Sequence, residues 1–114
     1  LTIQYRIIFS MKKIINKILL SLNFGNHQFD SHIWKSYPDK RKVFVEDIVR
    51  QKIPIGKNRK QILLIFGNDP RIYSDGTWSY PVEYDVSGKT EKLLHLYFDD
   101  DIVYNVKIRL KTRN

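Results

Sequence analysis

The chain contains no cysteine. That excludes a disulfide framework, a thiolate metal site, a cysteine nucleophile and a lipid anchor on an N-terminal cysteine. No apolar run is long enough to span a bilayer. A phosphate-binding loop is missing too, because Gly56-Lys57-Asn58 lacks the leading glycine and the Lys-Ser/Thr pair. Asp99-Asp100-Asp101 lacks the glycine and distal glutamate of a calcium loop and reads as a solvated turn. His27 and His32 are not spaced to share a helical face, which argues against a histidine metal site. No nucleophile–base pairing is apparent, and neither an enzyme nor a cofactor is expected. Acid is absent from residues 1–28, which carry Arg6, Lys12, Lys13 and Lys17.

What is present is an ordinary globular composition, 42% hydrophobic and 13% aromatic in 114 residues. That length makes one domain able to bury a core without disulfides or metal. The net charge of +8 comes from 20 Lys and Arg against 12 Asp and Glu. Half of the excess lies in residues 1–28, so the remainder, 29–114, is only mildly basic.

The first ten residues precede Met11 and read as upstream sequence, with translation starting at Met11. Their alternation of Ile3, Tyr5, Ile7 and Phe9 mimics a strand. From Met11 to Leu22, Ile14, Ile15, Ile18, Leu19 and Leu22 share one helical face, opposite Lys12, Lys13, Asn16 and Lys17. Three readings stay open for this basic amphipathic segment. It packs on its own domain or hangs as a loose tail, contacts a membrane surface peripherally through the five aliphatic residues, or is a degenerate secretory signal. As the chain stands the first two place it in the cytoplasm or at a membrane periphery. The third places it in the periplasm.

The best-marked element is a short helix over Asn58–Phe66. Asn58 is a good N-cap, and Gln61 completes a capping box. Ile62 to Phe66 is apolar nearly all round and predicts burial. Gly67 offers a left-handed C-terminal position and Pro70 forbids continuation. Asn23–Pro38 is rich in turn formers and reads as a loop, with Phe29, Ile33, Trp34 and Tyr37 folding back as clasps over the core. Asp39 can cap a second helix, Lys40–Lys52, with Phe44, Val45, Ile48 and Val49 inward. Arg41, Lys42, Glu46, Asp47, Arg50 and Gln51 would then face water. The two helices would form a hairpin.

Beyond Arg71 the apolar period changes to two. Thr77–Tyr84, Lys92–Phe98 and Ile102–Leu110 read as strands joined by short turns, an antiparallel meander. Pro81 predicts an edge or a bulge. In the third strand Ile102, Tyr104, Val106, Ile108 and Leu110 would face the core. The expectation is α+β: a two-helix hairpin packed on one face of a three-stranded antiparallel meander. Its core would hold Phe44, Ile48, Ile62, Leu63, Phe66, Leu96, Phe98, Tyr104 and Val106.

This order of signals resembles the SmpA/OmlA domain family. Its members include the small outer-membrane assembly lipoprotein, and it shares a layout with the β-lactamase inhibitor proteins. The residues that carry the resemblance are IGKNRKQILLIFGNDP, Trp78 and Tyr80 of the W-x-Y strand, and LLHLYFDDDIV. FDSHIWK is similar to a branch of short bacterial relatives. The likeness spans about Phe29–Leu110. It departs from the family in the extra residue before Pro70, in Lys57 after Gly56, and in the missing cysteine. The lipoprotein anchor and the role in barrel assembly therefore do not carry over.

The resemblance and the missing catalytic chemistry point to a non-catalytic protein-interaction module, envelope-associated, with a partner the sequence does not identify. Its candidate surface is the sheet face away from the helices: His95, Tyr97, Lys107 and Arg109. His95 shares that face with Leu93 and Tyr97 and reads as a sheet-surface residue rather than a base. The alternative is a small basic nucleic-acid-binding protein, in which aromatic rings flanked by Lys and Arg stack on bases.

Overall fold

Where turn formers predict a loop, the chain forms a helix. The computed structural model describes residues 28–111, and its first element is α1, Ser31–Ser36. Asp30 caps it by accepting the Ile33 N–H at 3.0 Å. Asp and Ser serve turns and helix N-termini alike, which is why composition alone misleads here. The expected clasp is real: Trp34 is fully buried, and its Nε1–H donates to the Phe66 carbonyl at 2.9 Å. Tyr37, expected beside it, is exposed.

The single helix expected over Lys40–Lys52 is two pieces, a 3₁₀ turn Pro38–Val43 and α2, Val45–Arg50. Side chains three apart eclipse in a 3₁₀ turn, so Arg41 points inward with Phe44. Arg41 is thus buried rather than solvated. Its Nε–H donates to the Trp34 carbonyl at 2.8 Å and an Nη1–H to the Pro81 carbonyl at 3.2 Å. Asp47 is likewise buried. It accepts the Phe29 N–H at 2.8 Å and pairs with Arg50 at 3.2 Å.

Helix α3, Arg59–Phe66, starts as read. Asn58 Oδ1 accepts the Gln61 N–H, and Gln61 Oε1 accepts the Asn58 N–H, both at 2.9 Å. It packs chiefly against α1 rather than α2, so the expected hairpin is replaced by an α1–α3 pair. Ile62 and Phe66 are buried, whereas Leu64 is 67% exposed. One stripe of α3 faces the core, not its whole circumference. Gly67 has φ +116° and ψ 162°, a mirror-extended conformation rather than the left-handed turn expected.

The sheet has four strands, not three: β1 Arg71–Ile72, β2 Trp78–Tyr84, β3 Thr90–Asp99 and β4 Ile102–Leu110. They pair antiparallel in the order β1-β2-β3-β4. Two residues leave no period to read, which hid β1. The register of β2 slips between Pro81 and Glu83, the irregularity that proline demands. The β3–β4 turn has Asp100 and Asp101 at φ 48° and 69°, the positive pair of a two-residue type I′ hairpin.

A second bulge corrects the reading of β4. Tyr97 pairs with Asn105 but Phe98 pairs with Val103, leaving Tyr104 as the extra residue. One inserted residue exchanges the faces of everything before it. Val103 is therefore buried, while Ile102 is exposed and Tyr104 is 59% exposed. Ile108 and Leu110, also expected inside, are exposed on this edge strand. The core joins Trp34, Phe44, Ile48, Ile62 and Phe66 from the helical layer with Trp78, Tyr80, Val82, Leu94, Leu96, Val103 and Val106 from one sheet face. Leu63 and Phe98 pack against it half-buried. Trp34, Phe66 and Tyr80 meet edge-on or tilted within it, and half-buried Phe29 packs against them, with ring separations of 5.2–6.4 Å. Such contacts each add about 0.5–1.5 kcal/mol beyond burial.

Candidate functional site

Strand alternation sends Ser79, Leu93, His95, Tyr97, Asn105, Lys107 and Arg109 to the sheet face opposite the helices. The register sets Ser79, His95 and Lys107 in one row, Pro81, Leu93 and Arg109 in the next, and Tyr97 beside Asn105. None of them belongs to the core cluster. The four residues expected to form a surface thus lie together. Arg109 reaches the Tyr97 hydroxyl at 3.5 Å, and Lys107 Nζ stands 5.7 Å from the Tyr97 ring centre. Tyr104, displaced by its bulge, brings a second ring to 6.3 Å from that of Tyr97.

His95 differs from expectation. It is only 6% exposed: Tyr73 stacks on it at 5.1 Å, and the tilted Tyr97 ring lies 4.8 Å away. His95 Nε2 is 2.8 Å from Thr77 Oγ1, and the Thr77 hydroxyl donates to Asp75 Oδ1 at 2.7 Å. A carboxylate only accepts, so the single hydroxyl proton of Thr77 goes to Asp75 and the Nε2–H of His95 donates to Thr77. Burial holds the imidazole below its ordinary pKa, and the Arg109 charge lowers it further against the opposing pull of Asp75. His95 is therefore neutral at pH 7. Asp75 is held below the usual carboxylate range by the Thr77 hydroxyl and then by the Thr77 amide, so it stays charged.

Beside this chain lies an open depression of about 480 Å³, lined by Arg71, Tyr73, Asp75, Thr77, Leu93, His95, Arg109, Leu110 and Lys111. Three cations face one acid there, and that acid is engaged by Thr77. Arg71 is fixed by a 2.8 Å bond to Thr90 Oγ1. The face as a whole presents positive charge and tyrosine rings over the apolar floor of Leu93.

Arg71, Tyr73, Asp75 and Thr77 were missed by sequence reading. Asp75-Gly76-Thr77 does carry a local signal, an Asp whose side chain accepts the amide two residues on, here at 3.0 Å. Nothing local announces that this turn lies against His95. Ile14, Ile15, Ile18, Leu19 and Leu22 lie outside the described residues. Among the described residues no helix is long and apolar enough to cross a membrane, and no cluster of His, Asp and Glu could hold a metal ion. Compared with family models, curated proteins and solved structures, the chain has no match.

Proposed function

We propose that this chain is a non-catalytic protein-interaction module that binds an acidic partner surface through the outer face of its sheet. The observation that carries the reading is the contiguous placement of Tyr97, Lys107 and Arg109 on a face that takes no part in the core. Tyrosine and arginine are the residue types that anchor interfaces, because each covers large area and still offers hydrogen bonds. The Asp75–Thr77–His95 chain serves as scaffolding: it fixes the imidazole that supports the Tyr97 ring. In the SmpA/OmlA-like setting that the motifs suggest, such a module works at the cell envelope. The aliphatic face of residues 11–22 would then add peripheral membrane contact.

A second reading is favoured by one observation. Tyr97 and Tyr104 adjoin on the same face as Lys107 and Arg109, a pattern that single-stranded nucleic acid can use. The buried position of His95 weighs against it, since that ring offers no free face for stacking. Photo-crosslinking in cells separates the readings. A crosslinker replacing Tyr97 is expected to give a discrete adduct with an acidic protein, and one replacing Leu64 on α3 is expected not to. Adducts that nuclease digests would favour the nucleic-acid reading. Equal adducts from both positions would remove the outer face as the site.

A further inference from the structure

The two edges of the sheet are finished differently. On the β2 side, β1 ends after Ile72. The next outward-facing position of β2 is Pro81, which has no N–H to leave unpaired. Its carbonyl accepts from Arg41 at 3.2 Å. That edge is two residues long, and proline blunts it where β1 stops. On the β4 side the loop before α3 closes only the start. The Gly56 N–H donates to the Val103 carbonyl and the Val103 N–H to the Lys57 carbonyl, both at 2.9 Å.

Further along β4 nothing comparable follows among the described residues. The Lys111 N–H donates to the Glu91 carbonyl, which fixes the phase of the ladder. Arg109, Lys107 and Asn105 turn their main-chain groups toward β3, and Leu110, Ile108 and Val106 turn theirs away from the sheet. The Val106 N–H is taken by Asn105 Oδ1 at 2.9 Å. Among the described residues the N–H groups of Ile108 and Leu110, and the carbonyls of all three, have no main-chain partner and form a template for another strand.

The side chains choose the occupant. A second copy pairing antiparallel about Ile108 would set Lys107 opposite the other copy's Arg109 twice, and like charges directly opposite destabilise a strand pair. Charged residues on an edge commonly serve to prevent such self-pairing. The same two cations attract carboxylates at alternate positions of an incoming strand. On the opposite side of that strand the exposed Ile108 and Leu110, the latter 70% exposed, offer apolar contact.

We propose that the β4 edge, Val106–Leu110, captures an extended segment of the partner, with acidic residues alternating with aliphatic ones, as a fifth strand. This deepens the interaction-module reading and rests on it, naming the mode of binding. Main-chain hydrogen bonds would supply affinity, and Lys107 and Arg109 the selection for acid.

The test titrates the full chain with a short peptide of alternating Glu and Val, with its Lys-for-Glu twin, and with peptides N-methylated on either set of alternate amides. Amide exchange is read by NMR. The Glu peptide is expected to bind at least about tenfold more tightly than the Lys twin. It is expected to slow exchange at Ile108 and Leu110, and to be abolished by N-methylation on one set of amides only. The double substitution K107E/R109E is expected to reverse the preference. Equal affinity for the Glu and Lys peptides overturns the acidic assignment. Binding that shifts Tyr97 and His95 but leaves Ile108 and Leu110 unprotected overturns the edge and keeps the outer face. Ile108 and Leu110 amides already protected before any peptide is added would show the edge occupied within the chain, and the proposal falls. No peptide binding overturns it likewise, leaving crosslinking from Tyr97 to judge the face itself.

Discussion

Replacing Arg41 by methionine keeps the apolar stem and removes the guanidinium. The Trp34 carbonyl then loses its 2.8 Å donor in the core, and the Pro81 carbonyl loses its 3.2 Å donor at the sheet edge. The buried Trp34 carbonyl left without a partner costs about 1–3 kcal/mol, and the part-buried Pro81 carbonyl costs less because water can reach it. The guanidinium also stands 5.0 Å from the Trp34 ring centre, a contact worth about 0.5–2 kcal/mol. Against this, the wild type buries a charge: desolvation lowers the Arg41 pKa despite the opposing fields of Tyr84 and Asp69. Relief of that burden offsets part of the loss. The net expectation is a destabilisation of about 2–5 kcal/mol. Arg41→Lys should fall between, since one ammonium cannot serve two carbonyls with a planar fork. Urea unfolding at pH 7, followed by tryptophan fluorescence and by circular dichroism, measures both variants. A loss below about 1 kcal/mol for R41M would refute the claim that Arg41 closes the α1–β2 junction.

Phe66→Ala should cost roughly 3–5 kcal/mol by the same assay, as expected for a fully buried aromatic. Val103→Ala should cost roughly 1.5–3 kcal/mol and Tyr104→Ala less than about 1 kcal/mol. The opposite order would contradict the bulge. Asn58→Ala should cost about 0.5–2 kcal/mol through the lost capping box. His95 gives a pH dependence whose sign follows from its lowered pKa. The unfolded chain binds the proton more tightly, so this contribution to stability is full above about pH 6.5. It declines as pH falls from there to the lowered native value, then levels. His95→Gln should flatten that decline, and an unchanged slope in the variant would count against the buried neutral imidazole.

Elements with local chemical markers were legible. Asn58 and Gln61 specify a reciprocal cap, and Pro81 announces an irregularity whatever surrounds it. The alternation in β2 and β3 needs only one covered face to be meaningful. Features set by distant residues were not legible. Arg41 looks like a solvated helix residue until the carbonyls of Trp34 and Pro81 are placed beside it. The bulge at Tyr104 leaves the apolar alternation of β4 intact in sequence while exchanging which members are buried. For the site, placing His95, Tyr97, Lys107 and Arg109 on one face required only the period of two. The burial of His95 depended on Tyr73 and Thr77, brought over by the β1–β2 turn, and no pattern along the chain records that approach.

The central claim is that the outer sheet face binds an acidic protein. It is tested most directly by the dissociation constant of the protein captured from the Tyr97 position, measured against wild type and K107E/R109E at low and moderate salt. Wild type should bind at least about tenfold more tightly than the variant at low salt. The difference should shrink as salt screens it. Equal affinity for both proteins, with both folded to the same stability, would contradict the account.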